Sequence, residues 1–215
     1  MAAASALFIF FWASGFIAAK FGLPYAEPFT FLTLRFLVAL AILVPLAILW
    51  RADWPSSLGV IGHIIVAGLL VQTIYLIGVF YGVYLGISTG VIALIVGLQP
   101  LITGALAAPV LGERVTVRQW EGLALGFVGL GLVVAEKVDL ASGQAWGAMF
   151  GALALAGITL GTLYQKRFCA ETDIRVAVTI QNGISLTVIA ILAVSVETMV
   201  INWTGEFVFA LLWSG

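Results

Sequence analysis

Residues 28–50 read PFTFLTLRFLVALAILVPLAILW, twenty-three positions with a single charge, Arg35, and no acid. As a helix rising 1.5 Å per residue this run is about 34 Å long, enough to cross a hydrocarbon core of ~30 Å. A transmembrane barrel strand would instead alternate apolar and polar positions over about ten residues. No such alternation occurs here, so the run reads as a membrane-spanning helix. Arg35 lies about seven residues inside it, roughly 10 Å below one end.

The same reading extends in both directions. Charged and turn-forming residues bound further apolar segments at about Ala3 to Ala19, Leu58 to Leu85, Ile87 to Leu111, Gln119 to Ala135, Ala145 to Tyr164 and Val176 to Val196. An eighth begins near Phe207 and runs to the last residue, Gly215. Composition agrees. Of the 215 residues 63% are apolar and 9% charged, against roughly 45–50% and 25% in soluble domains. Soluble helices need a charged outer face, which this chain cannot supply. Soluble enzymes, disordered chains and collagen-like repeats are thereby excluded. A net charge of −1 carries no nucleic-acid footprint. The single cysteine, Cys169, excludes an intrachain disulfide framework and a Cys-rich metal site. No basic stretch precedes the first apolar segment, which argues against a cleaved signal peptide. The predicted class is an all-α integral membrane protein, a polytopic helix bundle embedded in the lipid bilayer.

Lys and Arg set the predicted orientation. With a cytoplasmic N-terminus, Arg51, Arg114, Arg118, Lys166, Arg167 and Arg175 fall inside, and only Lys20 and Lys137 outside. That split follows the positive-inside rule.

Displacing the chain against itself by 146 positions brings Gly15-x4-Lys20 onto Gly161-x4-Lys166, Glu27 onto Asp173, Thr33 onto Thr179 and Arg35 onto Gln181. Chance matching of Gly-rich apolar segments is the alternative. As a true repeat, the unit holds five helices, an odd number, so its second copy enters the membrane inverted, as in many secondary transporters. Residues 1–139 are then the first repeat and 140–215 the start of the second. This arithmetic predicts that the sequence stops within helix eight, with two further helices missing.

Several motifs have plain readings. Gly86-Ile-Ser88-Thr-Gly90 fits the nucleophile-elbow pattern, but that elbow needs a strand before it and a histidine base. The only histidine, His63, is expected at the far end of the same helix, on the order of 30 Å away. Ser88 is therefore read as a turn residue. Gly78, Gly82 and Gly86, the pair Gly122 and Gly126, the pair Gly147 and Gly151, and the pair Gly157 and Gly161 form small-residue strips that admit a close neighbour helix. Packing within one bundle is favoured, and a homodimer contact is the other use of such strips. Pro100, after Gln99, is predicted to break its helix and to deprive the Val96 carbonyl of a partner.

Arg35 has two readings: a group facing the bundle interior or a water-filled cavity, or a side chain snorkelling to the headgroups. Gln181 holds the repeat-related position, with Asn182 beside it. Together with Trp12, Gln72, Tyr75, Gln99 and Tyr164 these residues are the candidate substrate pathway. Tyr81 is a further amphipathic group within a span.

Phe11-Trp-Ala-Ser-Gly15 with Lys20, Pro28 and Leu34-Arg35-Phe36 resembles the opening of EamA-type transporters of the drug/metabolite transporter superfamily. Gln99-Pro100, Leu111-Gly112-Glu113, Trp120-x-Gly122 and Gly126-Phe-Val-Gly129 extend the resemblance, which covers the whole chain. It implies ten helices in two inverted five-helix repeats and both termini in the cytoplasm. It also implies export or exchange of small metabolites such as amino acids across the bacterial inner membrane. The expected function is thus a secondary transporter of a small-molecule substrate working by alternating access, with no cofactor and no metal. A channel, or a helical membrane protein that does not transport, is the alternative. The channel reading lacks a carbonyl-filter-like loop and rings of one charge sign. An enzyme is not expected, because the sequence has no His-rich metal motif, no usable nucleophile–base pair and no Walker A motif.

Overall fold

The computed structural model describes residues 15–111, 116–137 and 144–215. Trp12 and most of the segment expected at 3–19 lie outside the described residues. Helix α1 covers 15–22. It is followed by α2, Pro28–Leu49, and α3, Leu58–Tyr84. Next come α4, Thr89–Val96, α5, Gln99–Leu111, α6, Val117–Lys137, and α7, Gln144–Phe168. The last two are α8, Ile174–Val196, and α9, Gly205–Ser214. Five spans among the described residues are long and apolar enough to cross a membrane: Pro28–Leu49, Leu58–Tyr84, Thr89–Leu106, Ala145–Phe168 and Ile174–Val196. The chain is a polytopic helical membrane protein.

Local chemistry sets the helix ends. Pro28 occupies the first turn of α2, where its fixed φ suits the helix and its missing N–H is no loss. Asp173, Thr204 and Ser88 cap α8, α9 and α4 by accepting the N–H groups of Arg175, Phe207 and Val91. Ser88 is therefore a cap, and His63 is engaged elsewhere, its Nδ1 2.7 Å from the Tyr164 hydroxyl and its ring stacked on Phe168. The break near Pro100 falls earlier than expected. Gly97 and Leu98 form the turn, and Pro100 sits in the first turn of α5, where it needs no donor.

The core is aromatic at its centre. Phe31 is fully buried, stacked on Phe80 at 5.4 Å and edge-on to Phe207 at 5.7 Å. Conversely, Leu49, Leu58, Leu125, Ile174 and Val194 are exposed on the outer surface. An apolar exterior of this extent is stable against lipid chains and not against water.

Two helix pairs organise the bundle. In the first, α3 packs along α7 through glycines. A Cβ on Gly78 would lie 2.5 Å from the Phe150 carbonyl and 2.6 Å from the Ala154 nitrogen. Gly82 and Gly147 face each other's carbonyls, Gly151 meets Ile92 and Ile95, and Gly157 and Gly161 rest on the backbone of residues 70–75. These strips are used inside the bundle. Three glycines expected in them do not rest on a neighbouring backbone. Gly86 has φ +94, a turn conformation that favours glycine. Gly122 has nothing within 4 Å of a built Cβ among the described residues. Gly126 meets only the side chain of Leu101.

In the second pair, α2 and α8 run antiparallel and are tied at both ends. At one end the Glu197 carboxylate accepts the N–H groups of Phe29 and Thr30, and Glu27 accepts the N–H and hydroxyl of Thr198. At the other, Arg175 donates to the Trp50 carbonyl and the Asp53 N–H points at Asp173.

Helix ends coincide under the 146-residue displacement. Helices α1 and α7 end at residues 22 and 168, and α2 and α8 begin at 28 and 174. The paired Thr33 and Thr179 make the same bond, each donating to the carbonyl four residues back, Phe29 at 2.8 Å and Arg175 at 2.7 Å.

Candidate functional site

A cavity of about 300 Å³ lies where α1, α2, α3, α7 and α9 converge. Its wall on α3 runs through Val71, Gln72, Tyr75, Leu76, Val79 and Phe80. Val71 is the central residue of α3, so the cavity reaches the middle of that span. Residues 69–74 are π-helical, and such widened turns occur frequently at functional sites. Val71 and Gln72 of this turn line the cavity, and the Gly68 carbonyl just before it accepts from the Ser185 hydroxyl at 3.5 Å. Ser185 in turn accepts from the hydroxyl of the buried Thr73 at 3.0 Å.

Arg35 reaches this cavity from α2. Its Nε donates to the Ser214 carbonyl at 2.7 Å. Its Nη1 is buried and has no hydrogen-bond partner among the described residues. Of the two readings of Arg35, the interior one describes this geometry, because the guanidinium turns into the bundle. Among the described residues Arg35 is the only charged one in the cavity wall.

The structure brings together Arg35, Gln72 and Tyr75 from the expected pathway and leaves the other described members elsewhere. Gln181 is buried in the seam between α8 and α3, where the absent side chain of Gly68 makes room for it. Its Nε2 has no partner among the described residues. Asn182 is spent on its own helix, donating to the Val178 carbonyl at 2.8 Å. Gln99 donates to the Thr162 hydroxyl at 3.1 Å, tying α5 to α7. Tyr164 is held by His63. Of the candidate pathway residues, the cavity therefore holds Arg35, Gln72 and Tyr75, while Gln181, Asn182, Gln99 and Tyr164 lie in helix seams or bond to neighbouring groups. In an apolar bundle most polar groups bond to a nearby acceptor, and periodicity along one helix does not reveal which.

The cavity also recruits residues that nothing in the sequence singles out. Phe16, Ile158, Trp213 and Ser214 complete its wall. Gly15 lies in the wall as well, and a Cβ built on it meets nothing within 4 Å among the described residues. Among the described residues no three His, Cys, Asp or Glu side chains gather as metal ligands.

A polytopic bundle enclosing a mid-depth cavity with one cation in its wall has the build of a membrane transporter. The EamA-like transporter family model matches residues 2–135, and the chain belongs to that family. It is similar to an uncharacterized transporter of Bacillus subtilis (strain 168), YvbV, 26% identical over 218 residues, which cover 96% of this chain and 67% of that protein. It is also similar to an uncharacterized transporter of Archaeoglobus fulgidus, 28% identical over 132 residues, covering 61% of this chain and 46% of the relative. The chain thus spans two thirds of one relative and less than half of the other. No solved structure matches it.

Proposed function

We propose that the protein is a secondary transporter, an exporter or exchanger of a small metabolite such as an amino acid or related compound, working by alternating access. The observation that carries this reading is the composition of the cavity wall. Gly15, Phe16, Arg35 and the face of α3 come from residues 1–139, whereas Ile158, Trp213 and Ser214 come from 140–215. Inverted-repeat transporters hold their substrate at such a boundary, near the bilayer midplane, and rock one repeat against the other. The coincident helix ends, the matched threonine bonds and the antiparallel α2 and α8 support reading the two parts as inverted repeats. Residues 1–139 form the first and 140–215 begin the second. The Lys and Arg distribution supports a cytoplasmic N-terminus in a bacterial inner (plasma) membrane. The protein catalyses no chemical step and uses no cofactor. It binds its substrate and the lipid bilayer, not nucleic acid, and a second copy of the chain is its other candidate partner.

Counterflow in proteoliposomes tests this. Vesicles containing the purified protein and loaded with unlabelled amino acids and carboxylic acids should take up the matching labelled compound transiently above equilibrium, and saturably. Simple dissipation of a solute gradient, without saturation or exchange, would establish a channel instead.

A further inference from the structure

We propose that the cavity beside Arg35 binds a small organic anion: one carboxylate, an apolar body and no ammonium group. This rests on the transporter reading above and narrows it to a substrate class.

The first observation is the state of the guanidinium. Arg35 presents a rigid planar fork of donors. One donor, Nε, is used on the Ser214 carbonyl at 2.7 Å. Another, Nη1, is buried without an acceptor among the described residues. A buried charged donor left unpaired is costly, and a carboxylate is the acceptor whose geometry matches the fork.

The second is charge balance. Among the described residues the cavity wall contains this one cation and no acid, its remaining polar groups being the side chains of Gln72, Tyr75 and Ser214 and the indole N–H of Trp213. A monoanion neutralises the site. A zwitterion would bring an ammonium group into a low-dielectric space with a like charge nearby and no carboxylate to receive it, and the Ser214 carbonyl is already engaged by Arg35. The third is the rest of the lining. Phe16, Val79, Phe80, Ile158 and Trp213 offer apolar and aromatic surface with no charge. A volume of about 300 Å³ is at the small end of ligand sites and suits a body of a few carbons or one ring.

The test compares isosteres on the protein purified in detergent, reading the rise in melting temperature over a concentration series. The probes are 4-methylpentanoate and 3-phenylpropanoate, their neutral amides, and leucine and phenylalanine. At least one carboxylate should stabilise saturably, at a concentration at least tenfold below that needed for its amide and for the matching amino acid. Arg35→Gln should bring carboxylate and amide within about twofold of each other, and Arg35→Lys should keep part of the gap, since an ammonium retains charge and loses the fork. The wild-type comparison requires no variant to fold. Equal binding of a carboxylate and its amide, amino acids binding as tightly as the acids, or no binding by either carboxylate would overturn the proposal. The same compounds in counterflow separate the two readings. Saturable exchange of a neutral or zwitterionic solute, with no carboxylate binding, leaves the transporter standing and removes the anion site. Carboxylate binding without exchange of any probe does the reverse.

Discussion

Glu197 and Thr30 are joined twice: one carboxylate oxygen accepts both the backbone N–H of Thr30, at 2.7 Å, and its hydroxyl, at 2.8 Å. The other oxygen takes the N–H of Phe29 at 2.7 Å. Helix α2 lacks a capping side chain of its own, because the carboxylate of Glu27 at its N-cap is turned to Thr198. An acid from the far end of α8 therefore serves the free amides of α2, where the helix dipole also favours negative charge.

Replacing Glu197 should consequently loosen two helices at once. Glu197→Ala is expected to lower stability by about 1.5–3 kcal/mol, the range for hydrogen bonds to a charged group. Glu197→Gln, which keeps one acceptor oxygen without the charge, should lose about half as much. Thermal unfolding in detergent measures both, and an unchanged midpoint for Glu197→Ala would show that the clasp contributes nothing.

The glycine strips predict a contrast between two substitutions of identical chemistry. At Gly78 a Cβ would meet backbone atoms of Phe150 and Ala154 at 2.5 and 2.6 Å, which cannot rotate away. Gly78→Ala should push α3 from α7 and destabilise by about 1–3 kcal/mol. At Gly122 the space is open among the described residues, and Gly→Ala in a helix gains up to about 1 kcal/mol. Gly122→Ala should therefore be neutral or stabilising in the same unfolding assay. Equal destabilisation by both would contradict the close approach of α3 and α7.

Asp173 sets the pH behaviour of the opposite clasp. Its hydrogen bonds and ion pair with Arg175 hold its carboxyl well below the usual carboxylate range. A lowered value in the folded state means that the contribution is complete above the ordinary carboxylate range and is lost as pH falls through the lowered value. Between pH 5 and 8 the melting difference between wild type and Asp173→Asn should stay constant, and it should shrink only in strong acid. A difference that fades near neutrality would show that another group titrates in this clasp.

Much of this was legible in the sequence, and the remainder fails for identifiable reasons. Segment ends were readable because Lys, Arg, Pro and Gly cannot sit cheaply in hydrocarbon. The expected Pro28 to Trp50 thus matches α2, and Val176 to Val196 lies within α8. Arg35 stood out because a lone charge in an apolar run is costly. The role of Glu197 was not visible, since its partners are backbone amides 167 and 168 positions away and carry no side-chain signature. Trp213 and Ile158 looked like any lipid-facing residues, and nothing in Leu69–Ile74 marks it as π-helical. Gln181 and Asn182 carry the same polar signal as the cavity group but lie apart from it, in the seam between α8 and α3 and on α8 itself. A polar residue inside a span has two uses, lining a space or bonding a neighbour, and only tertiary contacts distinguish them.

The helix pairing also fixes which loops share a membrane face, and this can be separated from which face is cytoplasmic. Hydrogen bonds join Asp53 to Asp173 at one end, and Tyr25 to Glu206 and Glu27 to Thr198 at the other. Exposed positions near each end are Ser56 and Glu171 on the first side, Pro24 and Trp203 on the second. Single cysteines placed at these four sites, with the buried Cys169 replaced by Ala, can be challenged in intact cells with a membrane-impermeant maleimide. Ser56→Cys and Glu171→Cys should respond alike, and Pro24→Cys and Trp203→Cys should form the opposite pair. With Arg51, Lys166, Arg167 and Arg175 clustered at the Ser56 end, the positive-inside rule places that end in the cytoplasm. Labelling in intact cells should therefore be confined to Pro24→Cys and Trp203→Cys, with the other two reacting only after permeabilisation. The reverse pattern would invert the proposed orientation and leave the fold intact. A pattern that splits Ser56 from Glu171 would break the antiparallel pairing of α2 and α8, and the inverted repeat with it.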